Sequence, residues 1–159
     1  MTQMPRLPFA HHLLALGLAC ACWASLAADS APEPTVSERL VNARTAIKNQ
    51  SWRNALFELN TALRSEPKNA DVHNLLGYTH RKQAQPNLPK AFEHYKMALQ
   101  LNPQHKGAHE YIGEAYLMDK KPDEAAKHLA TLETLCGNTS CEEYVDLAKS
   151  IADYRASTK

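Results

Sequence analysis

From Val36 onward, apolar residues recur every three or four positions, as in Leu56, Leu59, Ala62 and Leu63, with polar side chains between them. This spacing gathers the apolar groups into a stripe along one face of an α-helix and leaves the other face to water. Signals for helix ends fall between the stripes. Thr35 with Glu38 has the spacing of a capping box, Pro122 followed by Asp123 and Glu124 suits a first helical turn, and Pro67 and Pro103 each stop a helix. A last stripe, Tyr144, Leu147, Ala148, Ile151 and Tyr154, lies near the C-terminus. The pattern predicts an all-α protein of short amphipathic helices, none of which can bury its stripe alone.

Three segments share a spacing of small and bulky residues. The first has Ala43, Ala55, Leu59, Ala62 and Pro67. The second has Leu76-Gly77, Ala91, Tyr95, Ala98 and Pro103, and the third has Ile112-Gly113, Tyr116, Ala125 and Leu129. In this pattern, and in "NLLGYTH" and "PKAFEHYKMALQLNP", the chain resembles the tetratricopeptide-repeat family, whose period is about 34 residues. The resemblance implies an α-solenoid of helix-turn-helix repeats, about 36–69, 70–105 and 106–137, closed by a capping helix over 140–156. The glycines and the alanines Ala91 and Ala125 are expected to let the two helices of one repeat approach closely. Pro67 and Pro103 are 36 residues apart, so repeat two is longer than the family period, and the extra length is expected in the loop around Gln83–Pro89. In repeat three, Leu132 replaces the usual alanine and Gly137 stands where proline is expected, which marks the end of the array.

Charge narrows the class of partner. Lysine and arginine total 18 against 17 aspartates and glutamates, so there is no basic excess to draw nucleic acid or anionic lipid. The first residues differ from the rest: Arg6 and His11-His12 precede the uncharged run from Leu13 to Ala28, followed by a Pro-containing stretch. This is the order of a secretory signal, with Ser25 and Ala27 as the small residues before a cut near Ala28. We expect a signal peptide over 1–27, a linker over 28–35 and an exported, periplasmic, bacterial protein with no membrane association after cleavage. The alternative is a membrane anchor through an uncleaved N-terminus, or one lipidated at Cys20, although the apolar run is shorter than the roughly 20 residues of a spanning helix.

The resemblance also implies a partner. In the family the first helix of each repeat lines a concave groove, and the groove positions carry over to Leu40, Arg44, Ile47 and Lys48 in repeat one. They become Asp71, Asn74, Tyr78, Arg81 and Lys82 in repeat two, and Glu110, Glu114, Leu117 and Met118 in repeat three. A groove with Tyr78 and Arg81 at its centre, basic on one side and acidic on the other, is expected to hold a peptide or helix of another protein. The subtype that clamps chaperone tails needs a lysine and an asparagine where this chain has Leu40 and Arg44, so the resemblance does not extend to it.

Other chemistry finds little support. His73 and His109 share one repeat position and His94 and His128 another, but no third ligand is in register with any pair, so we expect packing histidines and no metal. No nucleophile motif or phosphate loop occurs, so neither an enzyme nor a cofactor is expected. Cys136 and Cys141 are five positions apart at a helix junction. Gly137 can end one helix in the left-handed conformation, and Ser140 with Glu143 has the spacing of a capping box for the next. Three readings of the pair stand side by side: a disulfide clasp, a metal- or thiol-handling site, and two free thiols. The functional expectation is a non-enzymatic adaptor in the cell envelope. The alternatives are a thiol- or metal-handling accessory protein using the cysteine pair, and a scaffold that self-assembles into homo-oligomers through exposed repeat edges.

Overall fold

The computed structural model describes residues 32–158. The expected signal peptide, its cleavage site, Cys20 and Cys22 lie outside the described residues. The chain divides into two units, Met1–Pro32 and Glu33–Lys159. The second unit holds seven helices among the described residues: α1 (Val36–Lys48), α2 (Trp52–Ser65), α3 (Ala70–Lys82), α4 (Leu88–Leu101), α5 (Lys106–Met118), α6 (Pro122–Cys136) and α7 (Glu142–Ser157). The pairs α1/α2, α3/α4 and α5/α6 are hairpins. Each odd-numbered helix also packs on the next odd one, so α1, α3, α5 and α7 form one layer and α2, α4 and α6 the other. This is an all-α solenoid of three helical hairpins and a cap.

The local sequence explains where the helices start and turn. Thr35 and Glu38 close the capping box in both directions, while Asn69, Asn87 and His105 each accept a backbone N–H of the first turn. Between α1 and α2, and between α5 and α6, the chain reverses through tight turns in which Gln50 (φ 55°) and Lys120 (φ 58°) adopt left-handed backbone, which costs a non-glycine residue about 1–2 kcal/mol. The corresponding loop of repeat two, 83–87, is two residues longer and contains no positive φ. The extra residues predicted near Gln83–Pro89 thus remove the need for a strained turn.

Packing follows the stripes. Leu40, Leu59, Leu76 and their neighbours fill the first hairpin and its junction with α3. Tyr95, Ile112, Ala91 and Ala115 fill the middle. Leu117, Leu132, Leu147 and Ile151 fill the last, with Tyr144 and Tyr154 packed against them. A Cβ at Gly77 would stand 2.5 Å from the Tyr95 ring, so glycine here admits an aromatic residue of the partner helix in the same repeat. Gly113 differs from expectation: its close neighbour is Leu147 of α7, 2.6 Å from where a Cβ would stand, so it serves the seat of the cap more than the approach of α6. The large Leu132 fills space against the same helix.

The histidines form a repeated hydrogen-bond unit. His73 Nε2 meets the Pro67 carbonyl at 3.0 Å and His73 Nδ1 meets His94 Nδ1 at 3.1 Å. One repeat later, His109 does the same with Pro103 at 2.9 Å and His128 at 2.9 Å. A carbonyl only accepts, so His73 and His109 donate through Nε2–H. Their bare Nδ1 atoms then accept from the Nδ1–H of His94 and His128. Burial, reinforced by the facing histidine, holds His94 and His128 down to about 4.

Candidate functional site: the concave face

The odd-numbered layer presents the predicted groove positions, and the structure sorts them into three depths. At the surface, Arg44 joins Ile47, Leu75, Tyr78 and Tyr111 around a cleft of about 190 Å³. Beside it, Lys48 and Lys82 join Ile47, Gln50, Trp52 and Tyr78 around another of about 360 Å³. Tyr78 is common to both clefts, and its ring lies 4.8 Å from that of Tyr111. The two phenols are neutral at ordinary pH, since burial pushes Tyr78 up and lifts Tyr111 to about 12.

Beneath this surface lies Arg81. Predicted as a central contact, it is 5% exposed, and Nη2 has an ion pair but no hydrogen-bond partner. Its guanidinium pairs with Glu114 of the next repeat, its Nε–H donates to Tyr95 Oη at 3.3 Å, and its Cζ stands 5.4 Å from the Tyr78 ring and 5.7 Å from the Tyr111 ring. Charge, hydrogen bond and cation–π contact together make it the floor under both tyrosines. Glu114 also accepts from Ser150 Oγ of α7 at 3.3 Å.

Also buried are Asn74, on α3 beside Gly107 of α5, and Glu110 on α5, at 6% and 8% exposed. Burial first, then the like charges of Glu114, Asp146 and Glu143, push the Glu110 carboxyl up to about 8. Four predicted residues take other places. Leu40 and Leu117 are core. Asp71 accepts from His105 Nε2 at 3.0 Å, linking two repeats at the helix N-termini. Met118 is exposed at the end of α5 and lines neither cleft.

Sequence reasoning missed Tyr111, Trp52, Glu143 and Asp146. Glu143 and Asp146 were legible in principle, because α7 continues the odd-numbered layer and so occupies the place of a first helix as well as that of a cap. Tyr111 follows Glu110 on α5, but only packing shows its ring reaching α3.

The cysteine junction forms with different capping from that expected. Gly137 ends α6 with φ 68°. Ser140 does not cap α7; its N–H and Oγ both donate to Asn138 Oδ1 at 2.8 Å, and Cys141 occupies the N-cap without a side-chain bond. Asn138 organises the corner instead, donating through Nδ2 to the Cys136 carbonyl at 3.2 Å. The two Cα atoms are 6.2 Å apart, inside the roughly 4.4–6.8 Å span of a disulfide. Both sulfurs and a Glu143 carboxylate oxygen lie within 4.8 Å of one another.

The sequence model of the tetratricopeptide-repeat family matches residues 40–106. The first tetratricopeptide domain of human RPAP3 superposes with a TM-score of 0.66 at 16% identity, over 77% of this chain and 94% of that one. The TPR2B domain of yeast Sti1, solved as a complex with pHsp70, gives 0.64 at 16% identity over 74% and 96%. A mutant of MamA gives 0.55 at 25% identity over 66% and 74%. No curated protein sequence matched significantly. The fold is an α-solenoid built from stacked helical hairpins. Residues 40–106 match the tetratricopeptide-repeat model, and the array of hairpins has the fold of tetratricopeptide domains. Among the described residues no helix is long and apolar enough to cross a membrane.

Proposed function

We propose that the protein is a non-enzymatic adaptor of the bacterial cell envelope that holds a peptide or helix of another protein on its concave face. The observation that carries this reading is the paired cleft around Tyr78. Two aromatic rings stand over a buried arginine that is ion-paired with Glu114, and the exposed cations Arg44, Lys48 and Lys82 rim the clefts. A rigid aromatic anchor inside a polar rim is the arrangement that concentrates binding energy at protein interfaces. Export rests on the order of residues 1–28, and the disulfide reading on the Cα separation at the α6/α7 corner.

Affinity capture with cross-linking from native envelopes tests the adaptor, using wild type beside Tyr78→Ala. A partner recovered reproducibly by wild type and lost with Tyr78→Ala is expected; equal recovery by both would remove the groove from the reading. Fractionation with N-terminal sequencing tests export, and an intact protein beginning at Met1 in the cytoplasm would refute it. Mass measurement with and without reductant tests the clasp, which predicts a two-hydrogen difference.

A second reading draws on the grouping of Cys136, Cys141 and Glu143, which in its reduced, dithiol form is a donor set suited to thiol or soft-metal chemistry. Replacing both cysteines by serine separates the two: an adaptor keeps its partner, and a thiol-handling protein loses its activity.

A further inference from the structure

The acidic half of the concave face contains a carboxyl group without a partner. Glu110 is 8% exposed, yet it makes no hydrogen bond or ion pair among the described residues. The cation that stands near it, Arg81, is committed to Glu114, Tyr95 and the two tyrosine rings. From α7, Glu143 and Asp146 add negative charge on the same carboxyl, and Glu114 adds more from its own helix. One turn earlier on α5, a Cβ at Gly107 would stand 3.3 Å from the Asn74 side chain, and Asn74 Oδ1 is a buried acceptor with no donor. Arg81 Nη2 is turned to Glu114 as an ion pair without a hydrogen bond, so Glu110 and Asn74 Oδ1 are left as acceptors without a donor, and the negative charge around Glu110 favours a positive one.

We propose that Glu110, the buried and unpartnered carboxyl in the acidic field of α5 and α7, receives a cationic side chain of the bound partner, an arginine guanidinium or lysine ammonium. The proposal rests on the groove reading above and gives it polarity. A peptide lying across the face places an apolar or aromatic side chain at Tyr78 and Tyr111 and a basic one at the α5/α7 junction, with its acidic residues toward Arg44, Lys48 and Lys82. In the free protein Glu110 meets neutral pH with its proton on, since burial and three carboxylates hold it up to about 8. A bound cation displaces that proton: the carboxylic acid becomes a carboxylate paired with the ammonium or guanidinium, and one H⁺ leaves to solvent. Binding therefore tightens as pH rises from 6 to 8, by up to about tenfold per unit.

The test uses synthetic 12-residue peptides with a central phenylalanine and with arginine, glutamine or glutamate at successive following positions. Anisotropy and calorimetry in buffers of different ionisation enthalpy read affinity and proton release on wild type, Glu110→Gln and Tyr78→Ala. The expected result is an arginine peptide at least about tenfold tighter than its glutamine counterpart, with proton release on binding. Both effects vanish in Glu110→Gln, while that variant unfolds at a higher temperature than wild type because a buried unpaired acid is gone. A Glu110→Gln protein that melts lower, or keeps the arginine preference, overturns the proposal. So does calcium chloride alone, if it displaces the arginine peptide at sub-millimolar concentration, because the cation would then be a metal. Peptides that bind through Tyr78 without regard to arginine defeat this inference and leave the groove reading standing. No binding by any peptide defeats both.

Discussion

The two halves of the concave face carry opposite charge in opposite ways. On α1 and α3 the cations Arg44, Lys48 and Lys82 are exposed at the ends of long side chains, where water satisfies them and their placement costs little. On α5 and α7 the acids range from exposed Asp146 through half-buried Glu114 and Glu143 to Glu110, which is buried. The first kind of charge steers a partner; the second must be matched by one, because an unpaired charge in a low dielectric is costly. Arg81 stands at the boundary and joins the halves, since it rises from α3 and ends on Glu114 of α5.

Removing the cap separates the halves most strongly. Leu147 is fully buried against Gly113, so Leu147→Ala is expected to cost about 3–4 kcal/mol in urea unfolding. Hydrogen-exchange protection should fall in α7 and α5 and persist in α1 and α3, as nearest-neighbour coupling requires; uniform loss across all helices would show that the halves are one unit. Next in size is the link itself. Arg81→Ala leaves Glu114 and two rings without their cation and is expected to cost about 3 kcal/mol, while Arg81→Met, which keeps the packing, should cost less. Equal losses would mean that the charge contributes nothing.

Reduction of Cys136–Cys141, as the proposed clasp, acts on the acidic half alone. Loop closure over so short a ring is worth about 2 kcal/mol, read as a shift of the urea midpoint with reductant that a double serine variant no longer shows. The smallest effect is with pH. His94 and His128 are held down to about 4 from an ordinary 6.5. The unfolded chain therefore binds more protons between those values, and stability rises with pH there. Glu110 is raised from 4.5 to about 8, so the folded chain keeps a proton that the unfolded one has lost, and stability falls as pH rises toward 8. Two histidines outweigh one glutamate below 6.5, which puts the maximum near that pH. From there to pH 8 the net loss is about 1 kcal/mol, and Glu110→Gln should abolish it in pH-resolved melting curves.

Most of the fold was legible because it is written in local terms. The 3.6-residue stripes, the Thr35/Glu38 box, the stops at Pro67 and Pro103 and the left-handed Gly137 each act within a few residues of themselves, and each appears where its chemistry places it. The local reading failed where two signals competed: Ser140 had the spacing of a cap, but Asn138 offered it a nearer acceptor. The concave face was legible only in outline. Repeat position selected Tyr78, Arg44, Lys48 and Lys82 for the surface, but it could not separate them from Arg81 and Glu110, which occupy equally regular positions and lie beneath.

That limit has a physical cause. Repeat spacing tells which side of a helix a residue occupies, and this alone determined an array of three hairpins with a terminal helix. How deeply a side chain sits depends on which helix is laid over it. Gly113 lets Leu147 bring α7 close to α5, the helix that carries Glu110, and that contact is made between residues 34 positions apart.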